Sequence, residues 1–269
     1  MMTHLQINGA MHFVQDSGGK GEAIPFIHGL MLPSASWHAQ VDRFRATHRV
    51  ITYDLRGQGR SEMTPHGLDL DNLAEDAAAL IETLGLARVH VVAFSMGTFI
   101  AMRLAARHPA LVRSLTLIGP SADAEEKSNL PRYKALITFV RLFGPSLASG
   151  PLMKILFGTT FLDDPASKTT RDHWRSVLRG LPKTLSRAAA ASAGRQAIRD
   201  LLPAISAPTL IVSGSEDRPI SPESAARVHK GIAGSRFVPV PATGHAVMIE
   251  RPDAFNRMLD GFLHEVEAG

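Results

Sequence analysis

The sequence predicts an α/β fold, with a mostly parallel sheet flanked by helices and a block of further helices inserted late in the chain. Two observations carry this. Short β-forming runs alternate with segments of helical period along residues 24–118 and again along 209–263, and strands separated by helices pair in parallel. Between them, residues 121 to about 204 hold no strand-like run and are punctuated by Pro131, Gly144-Pro145, Gly150-Pro151, Pro165, Pro182 and Pro203. That stretch reads as about four short helices. At 269 residues and 45% hydrophobic, the chain can bury one large core and carry a modest insertion. The expected division is a core domain of 1–120 and 205–269 and a helical cap of 121–204.

Residues 3–16 read as two strands joined at Asn8-Gly9, a dipeptide that accepts the positive φ angles of a tight hairpin. Gly18-Gly19-Lys20-Gly21 is a turn; it lacks the strand before and helix after that a phosphate-binding loop needs. A strand at 24–27, a helix near 39–44 and a strand at 50–53 follow. Leu73, Ala77, Leu80, Ile81 and Leu84 then recur at helical spacing, with Asp71 as the expected N-cap and Gly85 as the stop. Val89 to Phe94 is a strand, Met96 to Ala106 a helix, and Leu115 to Ile118 a strand. After the insertion come a strand at 209–212, a helix near 222–230 and a strand at 236–240. The last helix starts at Pro252 and sets Phe255, Met258, Leu259, Phe262, Leu263 and Val266 on one face.

Composition narrows the function classes. The absence of cysteine excludes disulfides and thiolate metal sites and fits a reducing compartment. No apolar run reaches 18 residues, and Met1-Met2-Thr3-His4 lacks the basic start and apolar stretch of a secretory signal. A cytoplasmic protein that does not bind membranes is expected. Residues 123–203 carry 13 Lys and Arg against 7 Asp and Glu, whereas the rest carries 16 against 18. That basic segment has no aromatic interleaving and no nucleic-acid motif, so it reads as a solvated face and nucleic acid is not an expected partner. His264-Glu265-Val266-Glu267 does not have the spacing of a zinc-protease helix, and no metal or cofactor is expected. The expected partner is a small-molecule substrate. A homo-oligomer is compatible with the sequence.

The chemistry is concentrated at strand ends. Val89 to Phe94 runs straight into Ser95, and the helix begins at Met96 with no loop between. A residue at such a turn is forced into a strained backbone conformation with its side chain standing clear; Ala93 and Gly97 are small enough to let the backbones pass. Three further strand ends add polar groups: Ile24 to Ile27 leads to His28-Gly29-Leu30, Thr209 to Val212 leads to Asp217, and Phe237 to Val240 leads to Thr243-Gly244-His245. A serine hydroxyl needs a base to take its proton, and imidazole, with a reference pKa of about 6.5, suits that task. A carboxylate behind the imidazole fixes its tautomer and stabilises the imidazolium.

Ser95, then Asp217, then His245, each at a strand end, resembles the α/β-hydrolase superfamily in its serine-nucleophile branch with a helical cap. The likeness runs from about residue 3 to the C-terminus and is most specific at these three residues, at His28-Gly29 and at the Asp54-to-Ser61 loop. It implies an eight-stranded sheet with an antiparallel start and a cap that lies over the nucleophile as a lid. It also implies an oxyanion hole built from the backbone N–H groups of Leu30 and Met96. His28 would shape that turn, and Asp54, Arg56, Gly57 and Gly59 would fix a loop beside it. Two other acids compete with Asp217: Glu216, which should point the other way, and Asp123, which follows the next strand after Ser95. Among the apolar residues of the insertion, Phe139, Phe143 and Trp174 are expected to line a hydrophobic substrate pocket.

Ser95 excludes relatives that use an aspartate nucleophile, the haloalkane dehalogenases and epoxide hydrolases. Carbon–carbon bond hydrolases usually carry Trp after the catalytic His, where this chain has Ala246, and a Gly-rich oxyanion loop, where it has Leu30-Met31-Leu32-Pro33. Phe94-Ser95-Met96-Gly97-Thr98 is similar to cofactor-free perhydrolases, but those usually place an aromatic residue at the position of Leu30. The resemblance therefore implies a serine esterase acting on small hydrophobic esters or lactones through an acyl-enzyme. C–C bond hydrolysis or perhydrolysis on the same triad is the alternative. A ligand receptor on a hydrolase scaffold is a reading of another class, and an intact triad argues against it.

Overall fold

Asn8 and Gly9, at φ 44° and 77°, close the tight hairpin between β1 (Met2–Ile7) and β2 (Ala10–Asp16). A computed structural model describes residues 1–269. The remaining strands are β3 (Ala23–Ile27), β4 (Arg49–Tyr53), β5 (Val89–Phe94), β6 (Val112–Ile118), β7 (Thr209–Gly214) and β8 (Arg236–Val240). They form one eight-stranded sheet in the order β1-β2-β4-β3-β5-β6-β7-β8. β2 pairs antiparallel with β1 and with β4, and every other pair is parallel.

Successive residues of a strand face opposite sides of a sheet, and β5 shows what that achieves here. Val89, Val91 and Ala93 enter one apolar core, and Val92 and Phe94 enter the other. On the first side pack α2 (Leu70–Thr83), α3 (Met96–Arg107) and α9 (Pro222–Gly231), through residues such as Leu73, Phe99 and Val228. On the second pack α1 (His38–Phe44) and α11 (Pro252–Ala268), through Phe44 and Phe255. Each such side chain, fully buried, contributes about 1.5–3 kcal/mol. With both faces covered, the central strands read as unbroken apolar runs, and their C-terminal ends are left to carry function.

The sequence misplaces one cap. Asp69, not Asp71, caps α2: its side chain accepts the Asn72 N–H at 3.0 Å. Such a cap is worth about 1 kcal/mol. Asp71 instead pairs with Arg103 at 3.0 Å and with Arg107, tying α2 to α3. Gly85, at φ 66°, ends the helix as expected.

Between β6 and β7 lie five α-helices instead of about four: α4 (Leu130–Phe143), α5 (Ser149–Leu156), α6 (Thr159–Asp163), α7 (Lys168–Arg179) and α8 (Leu185–Ala193). The chain returns to its point of departure where Ile198 N–H donates to the Ala122 carbonyl at 2.8 Å. A second tie joins α5 to the loop after β8, where Ala246 N–H donates to the Leu156 carbonyl at 3.0 Å. A one-turn helix, α10 (Val247–Glu250), follows that loop, where the sequence carries no helical signal before Pro252. No helix is long and apolar enough to cross a membrane.

Candidate active site

Ser95 sits between β5 and α3 at φ 51° and ψ −118°, a conformation that costs a non-glycine residue of order 1–3 kcal/mol. Its surroundings hold it there. Its N–H donates to the Ile118 carbonyl on β6 at 2.9 Å, and its carbonyl accepts from Thr98 N–H at 2.8 Å and Thr98 Oγ1 at 2.6 Å. Glycine is required at Gly97 on the turn and at Gly29 on the neighbouring loop after β3. A Cβ on Gly97 would lie 2.5 Å from the Ile27 carbonyl oxygen and 2.7 Å from that of His28. One on Gly29 would lie 2.8 Å from the Phe94 ring and 2.9 Å from Ser95 Cβ. Gly97→Ala is therefore expected to cost about 1–3 kcal/mol, because the obstacle is backbone and cannot rotate away. Thermal unfolding measures it, and an unchanged Tm would show that the turn is not tight.

The other two residues come to Ser95 from separate loops. Asp217 lies just past β7, with its carboxylate fully buried; Oδ1 accepts the Ile220 N–H at 2.9 Å and Oδ2 lies 2.6 Å from His245 Nδ1. His245 follows β8, with Nε2 2.8 Å from Ser95 Oγ and its ring 4.7 Å from that of Phe94. With Nδ1–H donating to the carboxylate, Nε2 is left to accept the serine proton. Gly119, at φ 57°, makes room for the ring, since a Cβ there would stand 2.9 Å from it. In the sequence the one signal of this glycine is its position directly after β6. Of the competing acids, Asp123 pairs with Arg199 and Arg227, and Glu216 accepts from Thr160 N–H at 2.9 Å and from its hydroxyl.

Leu30 and Met96 flank the serine from the β3 loop and from the first position of α3, and neither N–H donates to a protein group. The Leu30 loop is held by His28, which is fully buried. His28 Nδ1–H donates to the Gly29 carbonyl at 2.7 Å and Nε2 accepts the Leu55 N–H at 2.9 Å. Burial lowers the His28 pKa, keeping the ring neutral as this pairing demands. Gln58 accepts the Met31 N–H at 3.1 Å, and buried Asp54 accepts from Ser34 at 2.7 Å and Arg60 at 2.8 Å. Gly59, at φ 56°, fits under that carboxylate, where a Cβ would fall 2.3 Å from Asp54 Oδ2. Arg56 forks onto Asp76 at 2.7 and 2.8 Å.

Above Ser95 and His245 opens a largely apolar cavity, whose empty space, counted out into the open solvent at its mouth, is about 1050 Å³. Its wall includes Leu136, Ile137 and Val140 from α4, Leu152 from α5 and Leu185 from α8. Phe139, Phe143 and Trp174 do not line it, which corrects the sequence expectation. Tyr133, Leu136, Ile137 and Val140 form the stripe of α4 that faces inward, at i, i+3, i+4 and i+7. Phe139 and Phe143 lie on another side of that helix, 38% and 59% exposed, their rings 5.1 Å apart. Trp174 is 1% exposed, buried in the core that α7 shares with α5. Apolar character alone does not say whether a side chain faces a cavity, a neighbour or solvent.

Glu250 is a further residue the sequence did not reveal. Its carboxylate accepts Gly244 N–H at 2.9 Å and Gly158 N–H at 3.2 Å, joining the His245 loop to the start of α6. Burial pushes its pKa up to about 7 despite these bonds. Far from the cavity, at the start of β5, His90, Glu22 and Glu267 offer ligand atoms within 4.8 Å of one another. Both His90 nitrogens are engaged, at 2.8 Å with Ser114 Oγ and 2.7 Å with Glu22, and Arg113 pairs with Glu22 at 2.9 Å. This is an ion-pair network already satisfied by protein groups.

The family model for the alpha/beta hydrolase fold matches residues 22–252. The chain is 30% identical over 256 residues to the AB hydrolase superfamily protein YisY of Bacillus subtilis, spanning 93% of this chain and 94% of that one. A thermophilic esterase from Thermogutta terrifontis superposes with a TM-score of 0.90 at 25% identity, over 99% of both chains. The enol-lactonase from Burkholderia xenovorans superposes at 0.87 with 26% identity, over 97% of this chain and all of that one. Fold, sheet order and sequence agree, and the chain belongs to the alpha/beta hydrolase family.

Proposed function

We propose that this chain is a serine hydrolase that cleaves carboxylic esters or lactones of small, largely apolar substrates through an acyl-enzyme. The observation that carries this is the continuous relay Asp217–His245–Ser95, at 2.6 and 2.8 Å, opening into an apolar cavity. Ser95 Oγ attacks the carbonyl carbon while His245 Nε2 takes its proton, and Asp217 stabilises the imidazolium. The N–H groups of Leu30 and Met96 receive the oxyanion, which accounts for two donors left without protein acceptors. His245 returns the proton to the departing alkoxide; water then repeats the sequence on the acyl-enzyme. In a lactone the alcohol stays tethered to the acyl group, and the chemistry is otherwise the same. The similarity to an esterase and to an enol-lactonase supports this substrate range.

In this reading the inserted helices α4 to α8 are a lid that selects substrates without touching the chemistry. Leu136→Ala is expected to change kcat/KM for bulky acyl esters relative to acetate esters by roughly 10- to 200-fold, the worth of about 1–3 kcal/mol in one lost apolar contact. Equal losses on every ester with the fold intact would assign the helices a structural role only. A panel of esters, lactones and vinylogous diketones tests the reaction class. Hydrolysis of the diketones in preference to the esters would move the assignment to C–C bond cleavage.

A further inference from the structure

One turn of α3 beyond Ser95, the cavity wall changes character. Phe99 lines the cavity there, about 6 Å along the helix axis from the serine. The Arg195 guanidinium lies 4.9 Å from the Phe99 ring centroid. Arg195 and Glu125 both line the cavity, with side chains 12% and 9% exposed, and Nη1 stands 2.8 Å from Glu125 Oε2. The rest of the pair is anchored. Asn129 Nδ2 donates to Glu125 Oε1 at 3.0 Å, Arg195 Nε donates to the Asp123 carbonyl at 3.2 Å, and Nη1 donates to that of Ser192 at 3.3 Å. The second amino group of the fork, Nη2, has no acceptor in the protein. A guanidinium fixed by a carboxylate, two carbonyls and an aromatic face presents its remaining donors in one orientation.

We propose that Arg195, held by Glu125, determines specificity for acyl groups that carry a neutral oxygen acceptor, such as a ketone or ether, further along the chain than the scissile carbonyl. The proposal rests on the ester or lactone reading and names the substrate class within it. Charge balance makes the acceptor neutral. Glu125 already compensates the guanidinium, so a substrate carboxylate would bring an unpaired charge into an apolar cavity. A keto oxygen accepts from Nη2 with no such penalty, and an alkyl chain leaves those donors unmatched.

The test separates binding from chemistry. The Ser95→Ala protein keeps the cavity and hydrolyses esters only at a residual rate, which is measured in parallel and subtracted. It is titrated calorimetrically with three phenyl esters of matched length: one alkanoyl, one with a keto group near the chain end, and one ending in a carboxylate. The keto ester is expected to bind about tenfold more tightly than the alkanoyl ester, with the carboxylate weakest. Adding Arg195→Met should bring the keto-to-alkanoyl ratio to about one. Adding Glu125→Gln instead should make the carboxylate ester the preferred ligand, because Arg195 then lacks its counter-charge; this arm decides the question if the methionine variant does not fold. Equal affinities for the three esters, a keto preference that survives Arg195→Met, or no gain for the carboxylate in Glu125→Gln overturns the proposal. Turnover by the unsubstituted protein is read separately: failure to hydrolyse any ester contradicts the hydrolytic reading alone.

Discussion

Ser95→Ala is expected to lower kcat on activated esters by about 10⁶-fold while leaving the melting temperature unchanged. The loss is large because Ser95 Oγ is the only group that His245 Nε2 contacts at 2.8 Å, and without it the relay ends in the cavity. A residual rate of about 10³- to 10⁴-fold over water is expected to survive, from substrate binding and the N–H groups of Leu30 and Met96. Stability should hold, since the backbone bonds that fix position 95, to Ile118 and Thr98, do not involve the hydroxyl. Steady-state kinetics beside a thermal melt checks both parts. Loss of both together would make Ser95 a structural residue.

Asp217→Asn is expected to lower kcat by about 10⁴-fold. The amide still offers an oxygen to the Ile220 N–H, so the loop keeps its bond at position 217. Towards His245, however, an amide donor would face Nδ1 and force the proton onto Nε2. Nε2 then donates where it must accept, and Ser95 loses its base. Asp123→Asn is the matched control, because Asp123 pairs with Arg199 and Arg227 instead of with His245. A loss of under tenfold for Asp217→Asn would place the acid elsewhere.

What the sequence disclosed is what local geometry dictates. Asn8-Gly9 is legible because few dipeptides accept two successive positive φ angles, and the turn at Ser95 is legible because a strand meets a helix with glycine two residues on. Ser95, Asp217 and His245 are legible from the strands that precede them, and they converge because β5, β7 and β8 run parallel and their C-terminal ends lie at the same end of the sheet. What stayed hidden depends on partners distant in sequence. Asp69 and Asp71 are equally good caps on paper; Arg103 and Arg107 draw the second onto α3. Phe139 and Val140 are adjacent apolar residues on one helix, and only tertiary packing decides that Val140 lines the cavity while Phe139 faces another side. Glu125 and Arg195 are seventy residues apart in a segment that composition reads as a solvated basic face. Gly119 and Glu250 matter through the loop that carries His245, which no local pattern announces.

The central claim is that Ser95 becomes covalently acylated, and an organophosphonate ester tests it most directly. Such a probe should add one adduct per chain, located on Ser95 by mass spectrometry of peptides. Asp217→Asn should slow labelling along with turnover, and Ser95→Ala should abolish it. An adduct on another residue, or ester turnover that persists in a fully labelled protein, would contradict the serine mechanism.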